Sequence, residues 1–519
     1  MDRIQKSYFI SDQDAKRLNI KSENCIIICN QTEPPTIIGN LIEELQIHNK
    51  EINFTIINEK ILNSLLAEEK FDSNIKNIKS DSPQKHVMIL PIAVNQFKIF
   101  SNWQHLVTKI RSENKFLQKM INDKYNVVLC HVISEKSSNF EQFLHQHNST
   151  IAYNLNVKNN SVKSIIRVSN IIYSKEIQNI STFQEQKRYL VTRLKLLETS
   201  TKTNKLKNIA ERISNNKILP EVIKPISIAS LEKEIKALRL ENKVLEWNEF
   251  ELFLADFNKM PNCMLEIGRL REITFRNAQE GSGLTIDLDS YDPLYKHLFI
   301  WDKTNLKIVG AYRIGEGHNL IPGFGKKGFY ISTLFKIKNE FIPVLAESVE
   351  LGRSFIIPEY QKSNHLLMLM WKVLFEYIIS NPKNRYIIGP VSISEAYSKI
   401  SRLLIVDYMT KYYLHNEFNQ YIKPRKPFRY IEIKKTETII VRNFEHDITK
   451  FDQLISEIQA NGMKLPVLLR QYIKQNAKVL AFNRDPKFQN VLDSLLILDC
   501  QEINPEFKQL IKLQVNHAD

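Results

Sequence analysis

The chain has 519 residues, 43% hydrophobic and 25% charged, which is globular composition in a length that calls for more than one core. Its formal net charge of +15 favours an anionic partner such as phospholipid headgroups, nucleic acid or an acidic carrier protein, although a solvated basic surface would carry the same excess. No zinc-finger, helix-turn-helix or RNP pattern occurs, which sets nucleic acid aside, and no apolar stretch is long enough to span a bilayer.

The first eighteen residues, MDRIQKSYFISDQDAKRL, lack the apolar core of a secretory signal. Five cysteines, at positions 25, 29, 130, 263 and 500, form no C-x-x-C pair and read as buried thiols in a reducing cytoplasm. CIIIC, INFTIIN, HVMILPI, YNVVLCHVI and STIAYNLNV are short β-branched runs that predict strands. Between them SNWQHLVTKIRSENKFLQKMI carries Leu106, Ile110, Phe116, Leu117 and Met120 at helical spacing. The alternation predicts an α/β domain over residues 1–200. Residues 200–230 are polar and basic, with Pro220 and Pro225, and mark the boundary. A helical stripe of Leu231, Ile235, Leu238 and Leu245 follows. Residues 201–245 are therefore read as linker and docking helix, and 246–519 as the second domain. Its expected strands are HLFIWD, KIVGAYRI, ELGRSFII, RYIIGPVSI, KVLAF and LDSLLILD. Its expected helices are HLLMLMWKVLFEYIIS, SKISRLLIVDYMTKYYL and PVLLRQYIKQN.

Three clusters in this half bear chemistry. In the segment from Val349 to Ile378, Pro358 ends a strand, and a polar turn with Gln361, Lys362, Ser363 and Asn364 opens a long helix. Free N–H groups at such a start suit phosphate oxygens. The turn has no glycine, so an ordinary strand–turn–helix reads equally well. Within the strand, alternation puts Glu350, Gly352 and Ser354 on one face and Leu351, Arg353 and Phe355 on the other. A carboxylate and a guanidinium in an apolar strand are costly unless paired or used. Glu350 is placed to take a proton from an amine, and Gly352 to let a thioester approach the backbone. The competing reading is an ion-pair network joining Glu350 or Asp289 to Arg313 or Arg353. The acidic run Asp287, Asp289 and Asp292, with His297 beyond it, lacks the glycine and terminal glutamate of a calcium loop. It is read as amine-recognising or structural, with no metal expected. GRLREITFR, with Arg269, Arg271 and Arg276, is either a helix face or an anion clamp.

IGRLREITFR, DLDSYDPLYKHLFIWD, IVGAYRI, ELGRSFIIPEYQ, RYIIGPVSIS and PVLLRQY occur in this order between about 264 and 503. In this the chain resembles the GNAT-type N-acyltransferases once labelled hemolysins, relatives of the acyl-homoserine-lactone synthases. The resemblance implies a GNAT-like mixed-sheet α/β domain that moves a (3-hydroxy)acyl group to the α-amine of ornithine or glycine in aminolipid synthesis. The donor would be an acyl carrier protein thioester or acyl-CoA, lying where ELGRSFII and RYIIGPV splay apart, with no permanently bound cofactor. It implies Asp289, Asp292, Arg313, Glu350 and Arg353 in the core site, and Gln361 with Lys362 and Ser363 at the pantetheine phosphate turn. Arg271 and Arg276 would stand at the donor entrance, and Arg313 or Arg353 would hold the acceptor carboxylate. The first half resembles a degenerate lysophospholipid-acyltransferase-like α/β domain. At its N-H-x4-D loop Asn30 is followed by Gln31, with Thr36 in the aspartate position, so O-acyl transfer is not expected. With the basic charge and the run YIKPRKPFRY at 421–430, a cytoplasmic enzyme peripheral at the inner face of the membrane is expected. Other amine acylation and a non-catalytic membrane-surface scaffold are the alternatives.

Overall fold

The structure, a computed structural model, describes residues 8–10, 25–30, 52–56, 85–92, 117–118, 120–122, 126–134, 164–199, 219–361, 365–428, 438–459 and 462–505. The chain divides into two compact units, residues 1–213 with 398–401 and 432–465, and residues 214–397 with 402–431 and 466–519. Among the described residues no helix is long and apolar enough to cross a membrane.

The first unit carries a six-stranded sheet. Its strands are β1 (Tyr8–Ile10), β2 (Cys25–Asn30), β3 (Ile52–Ile56), β4 (Lys85–Ile92), β5 (Asn126–Ser134) and β6 (Ser164–Val168), in the order β1-β6-β5-β2-β4-β3. β2 runs parallel to both β4 and β5, as its β-branched, two-sided apolar run requires. Four of the expected strands are present. β1 and β6 were not anticipated, and STIAYNLNV and most of the 101–121 segment lie outside the described residues. Helix α1 (Phe183–Thr199) is tied to the helix Ile448–Ile458 by a buried bidentate pair, Arg193 Nη2 to Glu457 at 2.7 and 2.9 Å.

In the second unit α2 (Ile228–Glu241) is capped by the Ser227 side chain, which accepts the Ser230 N–H. The expected stripe holds for Leu231, Ile235 and Leu238, which are buried. Leu245, expected on the same stripe, lies instead in a strand, because the helix ends at Asn242 and a hairpin begins. Its strands β7 (Lys243–Trp247) and β8 (Phe250–Asp256) turn through Asn248 at φ +51°, a left-handed position that asparagine tolerates. The helix α3 (Pro261–Asn277) comes next, with proline in its first turn.

The remaining strands are β9 (Lys296–Asp302), β10 (Lys307–Glu316), β11 (Phe335–Ile337), β12 (Ser348–Ile356), β13 (Tyr386–Ile393), β14 (Ile422–Pro424), β15 (Lys478–Asp485) and β16 (Val491–Asp499). β11 and β14 pair by themselves, and the others make an eight-stranded mixed sheet, β15-β16-β13-β12-β10-β9-β8-β7. Every neighbouring pair is antiparallel except β12 and β13. That parallel ladder has three rungs, Ser348–Tyr386, Val349–Ile387 and Glu350–Ile388. Beyond it the facing stretches Leu351–Ile356 and Gly389–Ser392 line a cavity of about 490 Å³. Helices α4 (His365–Ser380) and α5 (Val467–Lys474) belong to the same unit.

The strands part at Gly389, where an added Cβ would collide with the Leu351 carbonyl oxygen. That atom is backbone and cannot rotate away. Gly389→Ala is therefore expected to cost about 2 kcal/mol as overpacking and to lower the thermal unfolding midpoint by several degrees. An unchanged midpoint by calorimetry would show that the two strands do not approach this closely.

Candidate active site

The last rung of the parallel ladder places Glu350 at the mouth of the splay, 2% exposed, where it lines the cavity. A buried carboxylate needs donors, and three are supplied. The Tyr295 hydroxyl donates to Oε2, the Tyr330 N–H donates to Oε2 at 2.9 Å, and the Ile331 N–H donates to Oε1 at 2.9 Å. The two N–H groups come from a single 3₁₀ turn, Tyr330–Thr333. Burial pushes the Glu350 carboxyl up to about 6, against the Tyr295 hydroxyl, Arg313 and the two N–H groups, which favour its charged form. Burial and the adjacent carboxylate also push the Tyr295 phenol well above its ordinary range. Gly315 makes this arrangement possible, since a Cβ there would strike the Tyr295 ring.

Around the Glu350–Tyr295 pair lies a chain of alternating charges. Arg271 Nη1 meets Asp292 Oδ1 at 2.8 Å, and Arg313 Nη1 reaches Asp289 at 2.7 Å and Asp292 at 3.3 Å. Arg353 reaches Asp287 at 3.0 Å and Asp289 at 3.2 Å. The His297 Nε2 faces the Asp292 carbonyl oxygen at 2.9 Å and Nδ1 faces Arg271 at 3.4 Å. A proton on Nε2 alone satisfies both contacts. Burial, and then Arg271, push His297 down to about 3, so the ring is neutral. His297 and Asp302 also share H-x4-D spacing, but Asp302 is spent on the turn after β9, accepting from the Thr304 and Asn305 N–H groups at 2.8 Å.

The alternation expected of β12 fails at Arg353. Its φ is +51°, and the β10–β12 register slips there, Ala311 opposing Phe355 and Arg313 opposing Gly352. This is a β-bulge, which adds a residue and re-aims the side chains after it. The Arg353 guanidinium therefore lies over the Tyr330 ring at 4.8 Å and the Phe488 ring at 4.7 Å, beside the turn that binds Glu350, rather than on an opposite face. Gly352 has open space where a Cβ would stand, so the backbone faces the cavity unobstructed. Leu351, Phe355, Ile387, Leu496, Leu498 and Tyr472 give the cavity an apolar wall.

Of the residues singled out in the sequence, Glu350, Arg353, Asp289, Asp292 and Arg313 are brought together. Asp289, Arg313 and Arg353 form the ion-pair network that was the competing reading. Arg313 and Arg353 each hold two carboxylates, but Arg313 is 1% exposed and Arg353 11%, which makes Arg353 the more accessible candidate for an acceptor carboxylate. Arg271, expected at an entrance, is fully buried in the network. Arg276 pairs with Glu272 at 2.7 Å and donates to the Leu284 carbonyl. Gln361 donates its Nε2 to the Ile356 carbonyl at 2.7 Å, and Lys362 and Ser363 lie outside the described residues. Tyr295, Tyr330 and Asp493 were missed. Asp493 is an acid inside the apolar run LDSLLILD, the same signal that drew attention to Glu350.

Burial pushes the Asp292 carboxyl up, but Arg271 and Arg313 outweigh it and hold the group well below the usual carboxylate range. A depressed folded value contributes stability that is present above the unfolded value of about 3.9 and lost as pH falls through the folded one. Asp292→Asn removes the carboxylate paired with the buried Arg271 and one of the two that hold Arg313, and is expected to cost about 3–5 kcal/mol at neutral pH. It is also expected to flatten the acid decline of stability below about pH 4. Urea unfolding from pH 3 to 7 tests this, and parallel curves for the two proteins would contradict it.

A mixed sheet whose single parallel pair opens onto a cavity, with a bulge on the first of the two strands, agrees with what other proteins reveal. Residues 270–372 match the family model described as an acetyltransferase (GNAT) domain. The chain is 31% identical over 280 residues to a glycine N(alpha)-acyltransferase of Phocaeicola vulgatus, a match covering 51% of this chain and 83% of that one. It is 30% identical over 305 residues to a glycine N(alpha)-acyltransferase of Bacteroides thetaiotaomicron, covering 55% and 87%. An L-ornithine N(alpha)-acyltransferase of Rhodobacter capsulatus is 30% identical over 127 residues, covering 22% and 46%. Most of the length of the first two relatives is thus matched here, and the chain belongs to the GNAT-type amino-acid N-acyltransferases.

Proposed function

We propose that this enzyme transfers a fatty acyl group, such as a 3-hydroxyacyl group, from an acyl carrier protein or coenzyme A thioester to the α-amine of an amino acid. The product would be a lyso-aminolipid. The position of Glu350 carries this reading, because a buried carboxylate stands at the point where β12 and β13 part and their edges line a cavity. Oε1 accepts one hydrogen bond in the structure, and a carboxylate oxygen has a further lone pair for an incoming ammonium. With its carboxyl near 6, Glu350 is ionised at neutral pH. It is then a stronger base than an exposed glutamate toward the acceptor's α-ammonium.

In this mechanism the ammonium gives a proton to Glu350, directly or through water. The amine nitrogen bonds to the thioester carbon, the oxyanion is met by backbone N–H groups of β12 beyond the ladder, and the C–S bond breaks as the nitrogen's second proton passes to the departing sulfur, so that a thiol leaves and a neutral amide remains. Arg353 holds the acceptor carboxylate. Asp287 and Asp289 keep the guanidinium in place, and the Tyr330 and Phe488 rings fix its plane. Gln361, Lys362 and Ser363 are proposed to meet the pantetheine phosphate. Acyl transfer to a homoserine-lactone precursor or another amine is the second reading, since Glu350 would serve any amine.

The resemblance of the first 200 residues to a lysophospholipid acyltransferase, with Gln31 and Thr36 in its transfer loop, supports a domain that has lost O-acylation. The net charge of +15 supports work at an anionic membrane surface, on its cytoplasmic side, and docking of an acidic carrier protein.

Glu350→Gln keeps size and hydrogen bonding while removing basicity. Transfer to glycine and to ornithine is expected to slow roughly 10²–10⁴-fold, with the deficit shrinking at high pH where free amine is abundant. Arg353→Lys is expected to raise the KM for the amino acid, because lysine lacks the planar fork. Near-wild-type rates for Glu350→Gln with an unchanged pH profile would remove Glu350 from the proton path.

A further inference from the structure

Asp493 sits on β16, on the far side of β13 from Glu350, and lines the same cavity. It is 4% exposed. The Ser392 hydroxyl donates to Oδ1 at 2.9 Å, while Oδ2 is buried with no hydrogen-bond partner. Two more acids line the cavity with it, Asp485 and Glu280. Asp485 accepts the Lys487 N–H at 2.9 Å as the cap of a short turn.

Among the described residues no arginine or lysine forms an ion pair with Asp493. The nearby guanidinium of Arg353 is held by Asp287 and Asp289. A buried, half-satisfied carboxylate beside two others is a costly arrangement that a cation would relieve. Burial, and then Asp485, push Asp493 up to about 8, with Glu280 adding to this and Ser392 and Arg353 opposing it. Burial pushes Glu280 up to about 7. Burial is the leading cause for Asp493 and the cause for Glu280.

We propose that Asp493, with Asp485 and Glu280 around it, is a cation subsite of the acceptor pocket that receives a second positively charged group, carried on the acceptor's side chain. The inference rests on the amino-acid acceptor reading and sharpens it. Glu350 and Arg353 engage the α-amine and carboxylate that every amino acid has, whereas Asp493 reads what differs between them. Glycine leaves the subsite empty. A dibasic amino acid of the right length fills it and neutralises the free oxygen.

The test is a ladder of amino acids titrated calorimetrically into the full-length protein without an acyl donor. The ladder comprises glycine, norvaline, 2,3-diaminopropionate, 2,4-diaminobutyrate, ornithine and lysine. One diamino member is expected to bind at least about tenfold more tightly than norvaline, which matches ornithine in chain length but lacks the charge. Asp493→Asn is nearly isosteric and is expected to erase most of that preference, and Asp485→Asn to reduce it. Thermal unfolding identifies a variant that fails to fold, in which case the other one decides. Equal binding of norvaline and every diamino acid would overturn the proposal, as would a preference that survives both substitutions. Because the titration needs no donor, a separate assay with an acyl donor that gave no transfer would count against the function proposed above and leave this result intact. Efficient transfer to glycine with a flat ladder would sink the subsite alone.

Discussion

The carboxylate of Glu350, buried and clasped by the Tyr295 hydroxyl and two consecutive N–H groups, is the constraint around which the second unit is arranged. Charge in that position requires donors, and each has a structural cost elsewhere in the sequence. Tyr295 reaches the carboxylate because residue 315 has no side chain. The two N–H groups are free because Tyr330–Thr333 is a 3₁₀ turn. Arg313 lies over the Tyr295 and Tyr330 rings at 5.2 and 5.1 Å, so a cation supports the site through aromatic faces without pairing with Glu350 itself. The result is a carboxylate that is ionised at neutral pH yet more basic than an exposed one.

The surrounding ion pairs arise from the same burial. Arg271, Asp292, Arg313, Asp289, Arg353 and Asp287 alternate in sign, and each member has a partner of opposite charge. Isolated, any of them would be intolerable in an apolar sheet; linked, they fix the 287–295 segment against β10 and β12. Their net contribution to stability is small compared with the cost of breaking one. Their value is positional, because they hold both the Tyr295 hydroxyl and the Arg353 fork against Tyr330.

The strands β9, β10, β12, β13 and β16 were legible because they are apolar runs of strand length, and α4 because it is too long and continuous to be one, whereas the order of strands in the sheet was not. Glu350 was legible as an acid where an acid is expensive. The start of β7 was misread as the end of the docking helix, since Leu245 happens to extend the 3.6-residue spacing of α2 and only Asn242 and Asn248 mark the change. The bulge at Arg353 was missed: Gly352 beside it was read as room for a thioester, although a lone glycine in a strand also marks a bulge, and the slip reversed the facing inferred for every later residue of β12. Pairing among three aspartates and three arginines could not be assigned from spacing, because the partners come from α3, β10, β12 and a loop. Asp493 carried the same signal as Glu350 but lay in a terminal strand with no neighbouring motif to draw attention to it.

The pH dependence of kcat/KM for acyl transfer, compared between the native enzyme and Tyr295→Phe, tests the Glu350–Tyr295 arrangement most directly. The phenolic O–H favours the charged form of Glu350, so removing it raises the carboxyl above its value near 6. The native enzyme is expected to show an acid limb near pH 6. In the variant the limb is expected at higher pH, with the plateau reached only in alkaline solution. Superimposable profiles for the two proteins would contradict a proton-accepting Glu350 tuned by Tyr295.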